Sequence, residues 1–420
     1  MFFVKYVILD VCILCEVSMD KKMYKYIGIL VGLVVLLVVV VWISNLVSGG
    51  TTYSYESIEK KMVSATKSYM KDHSAMLPTE VGESVTISPT VLVNNNYFKG
   101  FDAYVKDSDV VCNGSVDVYM AGDGYYDYTP TLNCGNKHNT TKLYEKVLED
   151  NNYGVVMGYG LYQRVNGTFV TNEDNLVIDN NYESLEYVFR GKDVNNYVKI
   201  DDNYWRIVAI SDAGDMTLLF SGTLQRGVSW DDKYNESVGK NQGINDYEKN
   251  GIKSTIREEV EKFYNGKATL LNKEEYSPKT KYLISPASLC IGKRKATDKD
   301  SSGKIECSQR LDGQYVGLLP AYYYMNASVD ENCDTITSRS CGNDNYLSSF
   351  NDYWWLLTAN QEASNEAYQV FKTYARSELC IAKTNVKPTV LLGNRVLWES
   401  GDGSSNNPYT IKFYADESLN

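Results

Sequence analysis

Histidine is almost missing from this chain: there are two in 420 residues, His73 and His138. Residues 181–420 contain none, which excludes a Ser-His-Asp triad, a Cys-His pair and a His-rich metal site from that half. Positive charge is also short. Lys and Arg number 42 against 53 Asp and Glu, so the net charge is −11. Nucleic-acid partners need a basic surface and are excluded on that balance. Proline is scarce at 8, while tyrosine reaches 35. That composition, with many Asn and Asp, suits β-rich domains joined by polar loops.

Charge of either sign is absent from Ile27 to Val47, which reads IGILVGLVVLLVVVVWISNLV. As a helix this stretch is about 31 Å long, the thickness of a bilayer's hydrocarbon core. Lys21, Lys22 and Lys25 precede it and Ser48-Gly49-Gly50 follows it, so the positive-inside tendency keeps the amino terminus in the cytoplasm. Trp42 suits an interfacial anchor. A cleavable secretory signal competes with this reading, but its apolar region normally runs about 7–15 residues. The sequence therefore predicts an integral, single-pass membrane protein. Residues 1–25 form a cytoplasmic tail, 26–47 the span, and the remainder lies outside. Residues 1–18 carry Lys5, Asp10 and Glu16, and Met19 offers a second start just before the lysines.

An exported location permits disulfides. Seven of the nine cysteines follow the apolar span, and sequence-local pairings Cys112–Cys134, Cys290–Cys307 and Cys333–Cys341 would leave Cys380 over. A zinc site lacks both a Cys-x2-Cys pair and histidine. Asn-x-Ser/Thr triplets at Asn113, Asn139, Asn166, Asn235 and Asn326 would accept glycans in a glycosylating secretory route.

Ile58, Met62, Ala65 and Tyr69 recur at helical spacing, which predicts an amphipathic helix over Ser54 to His73. Its apolar stripe either covers the chain's own domain or meets a partner helix. VGESVTISPTVLVNNNYFKGF carries strand and turn signals. VCNGSVDVYMAGDGYYDYTPTLNC alternates around Gly-Asp-Gly, a hairpin with a cysteine near each end. Residues 138–180 are polar and weakly periodic, a connector with a strand or two. From Tyr182, four alternating runs separated by polar turns predict a β-meander, and GIKSTIREEVEKFY (251–264) predicts a helix. The fold class is α+β, divided at 51–137, 138–180 and 181–420.

The membrane span, exposed helix and DSDVVCNGSVDVY…YTPTLNC hairpin resemble pilin-like ectodomains of surface proteins in low-GC Gram-positive bacteria. Phe189-Arg190-Gly191, Asn195 to Val198, Trp205-Arg206-Ile207, Trp354-Trp355-Leu356, Val386-Lys387-Pro388 and Asn407-Pro408-Tyr409 form a second ordered set. This set resembles a domain of uncharacterised exported proteins of Gram-positive gut bacteria, similar to C-type-lectin-like and formylglycine-generating-like folds. The resemblance implies a β-rich C-type-lectin-like domain over 181–420.

One segment suggests a cofactor. Asp298, Asp300 and Ser302, then Gly303, Lys304 and Glu306, follow the order of a calcium loop, with side-chain oxygens first and the Lys304 carbonyl next. Its twelfth position is Gln309, and an ordinary polar turn between two cysteines explains the same residues. The aromatic residues Tyr322 to Tyr324 and Tyr353 to Trp355 are either a sugar-stacking platform or core packing. The leading functional expectation is adhesion or ligand binding at the cell envelope, to an unidentified envelope or host protein or glycan, and not enzymatic. A structural component of a pilin-like apparatus is the alternative. A carbohydrate-active enzyme comes third, since carboxylates are plentiful although no spacing marks a pair.

Overall fold

A computed structural model describes residues 53–122, 125–151, 158–170, 182–265, 283–412 and 414. The expected span Ile27–Val47 and the 1–18 segment lie outside the described residues. Among the described residues, no helix is long and apolar enough to cross a membrane. Strands outnumber helices, as an α+β chain of this composition should show.

The predicted first helix forms over Tyr55–Asp72 and buries Ile58, Met62, Ala65 and Tyr69, together with Glu59, Val63, Thr66 and Met70. Their i, i+3 and i+4 spacing sets one broad face on a small antiparallel sheet, ordered Ser84–Ile87, Asn113–Gly122, Tyr125–Asn133. The hairpin register places Asn113 opposite Asn133, which brings Cys112 and Cys134 into a disulfide. Gly114 is required there: a Cβ would stand 2.1 Å from the Thr131 carbonyl oxygen. The apolar stripe is thus spent within the chain. Between the first helix and the hairpin, Pro89–Asn94 is helical where strand and turn signals were read. Ser88 caps it by accepting from the Val91 N–H, and Pro89 occupies its first turn.

Residues 138–180 contribute more than a connector. Leu143–Asp150 is a helix, with Leu143 and Val147 buried in the main core. Gly160–Val165 and Thr168–Phe169 join the largest sheet. That sheet runs in the order Ile284–Ser285, Thr389–Leu392, Met216–Phe220, Asn203–Ser211, Leu185–Arg190, Gly160–Val165, Thr168–Phe169. The expected meander is present in modified form. The start of Asn203–Ser211 pairs with Tyr197–Ile200 and its end with Leu185–Arg190, while Met216–Phe220 pairs along most of it.

A second sheet is ordered Gln225–Val228, Thr384–Val386, Asp352–Ala359, Glu366–Lys372, Tyr374–Leu379. Both sheets feed one core containing Trp205, Trp230, Trp354 and Trp355, all at most 1 % exposed. Two indoles tie the core to backbone: Trp230 donates to the Leu356 carbonyl at 3.2 Å and Trp355 to that of Val228 at 2.9 Å. The Trp205 and Trp354 indole nitrogens, by contrast, are buried without a hydrogen-bond partner among the described residues. The tyrosine run Tyr322 to Tyr324 is also buried, in the helix Ala321–Asn326. Apart from the exposed Tyr353, the aromatic cluster is therefore core.

Residues 55–137 are bonded to the later chain by buried charge. Arg395 donates to Asp127 at 3.0 Å, although burial raises the Asp127 carboxyl above its usual range. Glu59, fully buried on the first helix, accepts from His138 at 2.9 Å and faces Lys412 at 3.5 Å. Such pairs hold a specific docking geometry, and removing one partner leaves an uncompensated charge.

Candidate ligand pocket

Ser229 to Tyr247 contains no helix or extended strand, an unusual length of irregular chain inside a compact β domain. Its shape is nonetheless tightly determined. The buried Asp231 carboxylate accepts from the Ile244 N–H at 2.9 Å and from the Thr255 N–H and hydroxyl at 3.3 and 3.2 Å. One side chain thus closes the loop and holds it to the start of the Thr255–Tyr264 helix, where negative charge is favoured. Asn245 donates to the carbonyls of Asn360, Ala363 and Glu366, and its own oxygen accepts from Lys293 at 2.7 Å. Gly243 has φ +70°, and a Cβ there would stand 2.2 Å from the Asp231 carbonyl oxygen. Asn235 donates to Ser364 and accepts from the Ser237 N–H. The loop is a fixed surface.

What it holds out is partly apolar. Between this loop and the Glu248–Lys249/Ile252–Lys253 hairpin lies a cavity of about 360 Å³, at the small end of the range for ligand sites. Tyr234 stands at its rim 56 % exposed, and Ile252 63 % exposed. Neither side chain makes a ring contact or hydrogen bond among the described residues. Other exposed tyrosines are engaged: Tyr159 donates to Asp344, Tyr204 lies under Lys199, and Tyr353 meets Phe371 edge-on. The Asn250 backbone takes φ +53° at the hairpin tip, a left-handed conformation that asparagine tolerates.

Charges around the cavity are largely matched. Lys233 donates to the Lys253 carbonyl, and Lys253 pairs with Glu261 at 2.5 Å. Asp246 pairs with Lys293 at 2.5 Å and faces Lys249 at 3.7 Å.

The 298–306 segment, which reads as a calcium loop or as an ordinary polar turn, is organised around Arg294. Arg294, fully buried, donates Nε to Glu306 Oε1 at 2.8 Å and Nη2 to Oε2 at 3.1 Å. The same guanidinium reaches the carbonyls of Asp298 at 3.0 Å and Asp300 at 2.5 Å. The Asp298 and Asp300 carboxylates accept from the N–H groups of Lys295 and Ser302, and the Ser302 hydroxyl accepts from the Lys304 N–H. Four oxygens therefore converge on a side-chain cation. Among the described residues, no group of three or more His, Cys, Asp or Glu could hold a metal ion. A one-dimensional spacing argument misses Arg294, because it lies before the first position of the loop pattern.

Several residues of the ordered motifs that suggest a lectin-like domain make internal contacts. Asn196 donates to the Ile207 carbonyl and accepts from Arg206, whose guanidinium lies over Tyr197 at 3.9 Å. Arg190 donates to the carbonyls of Asn326 and Ser328. Lys387, 2 % exposed, donates to the carbonyls of Ser221 and Gly222, and burial pushes its ammonium down to about 8. All three sequence-local disulfides form, and Cys380 is left free and buried. Burial pushes the Cys380 thiol far above its ordinary range, which makes it inert.

Compared with known protein families, curated proteins and solved structures, this chain has no match in any of the three.

Proposed function

We propose that this chain is a single-pass surface protein of the bacterial cell envelope. Its amino terminus lies in the cytoplasm, and it recognises a ligand at the pocket formed by Ser229 to Ser254. The observation that carries the reading is the bare Tyr234–Ile252 pair on a rigidly pinned loop. Leaving such groups in water forgoes about 1.5–3 kcal/mol each relative to burial, so an apolar rim over a polar cavity marks a contact surface. Conserving its shape through Asp231 and Asn245 limits the ordering that a ligand must impose. Three disulfides fit a chain that matures in an oxidising compartment. The uncharged Ile27–Val47 stretch fits an anchor.

Protease added to intact cells should remove residues beyond the span. A screen of the full chain against envelope glycans and proteins should return saturable binding that Tyr234→Ala weakens. Protection of those residues from protease would refute the topology, and binding indifferent to Tyr234 would refute the site.

The assembly reading has less support, because Ile58, Met62, Ala65 and Tyr69 are already covered by the chain's own hairpin.

A further inference from the structure

We propose that Lys293 and Asn245 become joined by an amide bond that forms within the folded chain, with Asp246 relaying the protons. Lys293 Nζ stands 2.7 Å from Asn245 Oδ1, one bond away from the carboxamide carbon, and 2.5 Å from an Asp246 carboxylate oxygen. An amine, a carboxamide and a carboxylate so placed are a nucleophile, an electrophile and a proton carrier.

Both backbones are fixed around this contact. The Asn245 N–H donates to the Ser364 carbonyl at 2.9 Å. Gly292 and Arg294, on either side of Lys293, donate to the Glu306 and Ala359 carbonyls at 2.7 and 3.0 Å. Groups held in this way meet without the entropy loss that makes amine attack on a free carboxamide slow. Asn245 is 1 % exposed, which keeps water from competing for its carbon.

The leaving nitrogen has an unusual setting. Asn245 Nδ2 carries two hydrogens, yet the carbonyls of Asn360, Ala363 and Glu366 surround it at 2.7 Å each. A carboxamide leaves one of those acceptors in excess. An ammonium ion, with four N–H groups, satisfies all three, so the cradle suits the product nitrogen better than the starting one.

The Lys293 ammonium passes a proton to Asp246, and the freed amine attacks Asn245 Cγ. The Cγ–Nδ2 bond then breaks. Two protons in all leave Nζ and two reach Nδ2, so ammonium departs and Asp246 ends as the carboxylate it began as. The new amide keeps one N–H on Nζ to donate to Asp246. The bond is independent of what the neighbouring pocket binds.

Mass spectrometry of the reduced, denatured full chain tests it. The parent should be lighter than its sequence mass by one ammonia, and its tryptic digest should hold a branched peptide joining residues 245 and 293. Ring closure at Asn250-Gly251 would lose the same mass without joining two peptides. Lys293→Arg, which keeps a cation beside both partners, should show its full mass. Asp246→Ala should be purified largely unlinked, because a proton relay contributes about a hundredfold or more in rate. Circular dichroism verifies the folding of both variants, and the parent's digest decides the bond whether or not they fold. Separate 245 and 293 peptides from the parent overturn the cross-link. A fully linked Asp246→Ala chain overturns the relay and leaves the bond standing.

Discussion

Replacing Glu306 by Gln tests whether the 298–306 loop is organised by a guanidinium. The change keeps shape and volume but removes the charge that faces Arg294 through two contacts of 2.8 and 3.1 Å. Both side chains are fully buried, so water cannot screen what is left behind. Breaking one side of a buried pair costs about 3–5 kcal/mol. In a domain of this size each kcal/mol lowers the melting temperature by about 2–4 °C, so the variant should melt roughly 6–20 °C below the parent. Arg294→Met should be comparable, since it strands Glu306 and frees the carbonyls of Asp298 and Asp300. Combining Arg294→Met with Glu306→Leu should cost much less than the sum, because apolar replacement of both partners removes the stranded charge. Thermal unfolding followed by circular dichroism reads all three. Millimolar calcium should leave the parent's melting temperature unchanged. Additive penalties, or a Glu306→Gln shift under about 3 °C, would refute the guanidinium-centred loop.

Other outcomes follow from buried groups. The Lys387 ammonium, depressed to about 8 from its unfolded value near 10.4, disfavours folding while it is charged. Its contribution should therefore be absent below pH 8 and rise towards roughly 3 kcal/mol as pH climbs to about 10.4. Lys387→Met should remove that rise, and parallel stability–pH curves for the two proteins would contradict it. Cys380 should resist alkylation in the native protein and react fully in denaturant, read by mass mapping of its peptide; native labelling would show that its burial is wrong. Replacing Cys112 and Cys134 together by serine opens a loop of sequence separation 22 and should cost about 3 kcal/mol by chemical denaturation.

The elements that sequence reading located were those with strong local periodicity. The first helix, the cysteine-closed hairpin and the 255–264 helix each declare themselves within about two dozen residues. The short helices did not. Pro89–Asn94 carries only Leu92 as a buried residue, and its real signal was the Ser-Pro start. Leu143–Asp150 shows just two buried positions, Leu143 and Val147, too few to mark a period. The pocket was illegible because no motif writes it. Its loop is shaped by single polar side chains, Asp231 and Asn245, whose partners lie up to 121 residues away. The calcium-like spacing does not reveal Arg294 for the same reason: the guanidinium that the Asp298 and Asp300 carbonyls and the Glu306 carboxylate accept from lies outside the pattern.

Two of the Asn-x-Ser triplets have a consequence for making this protein. The amide nitrogens of Asn235 and Asn326 are buried and donate to Ser364 and to the Ser301 carbonyl. That nitrogen is the atom an oligosaccharyltransferase would modify, and it does so while the nascent chain is still open. A sugar tree attached at either position has nowhere to go once the strands close. Production in yeast or mammalian secretory cells should therefore stall at the folding stage, whereas a bacterial periplasm supplies oxidation without that obstacle.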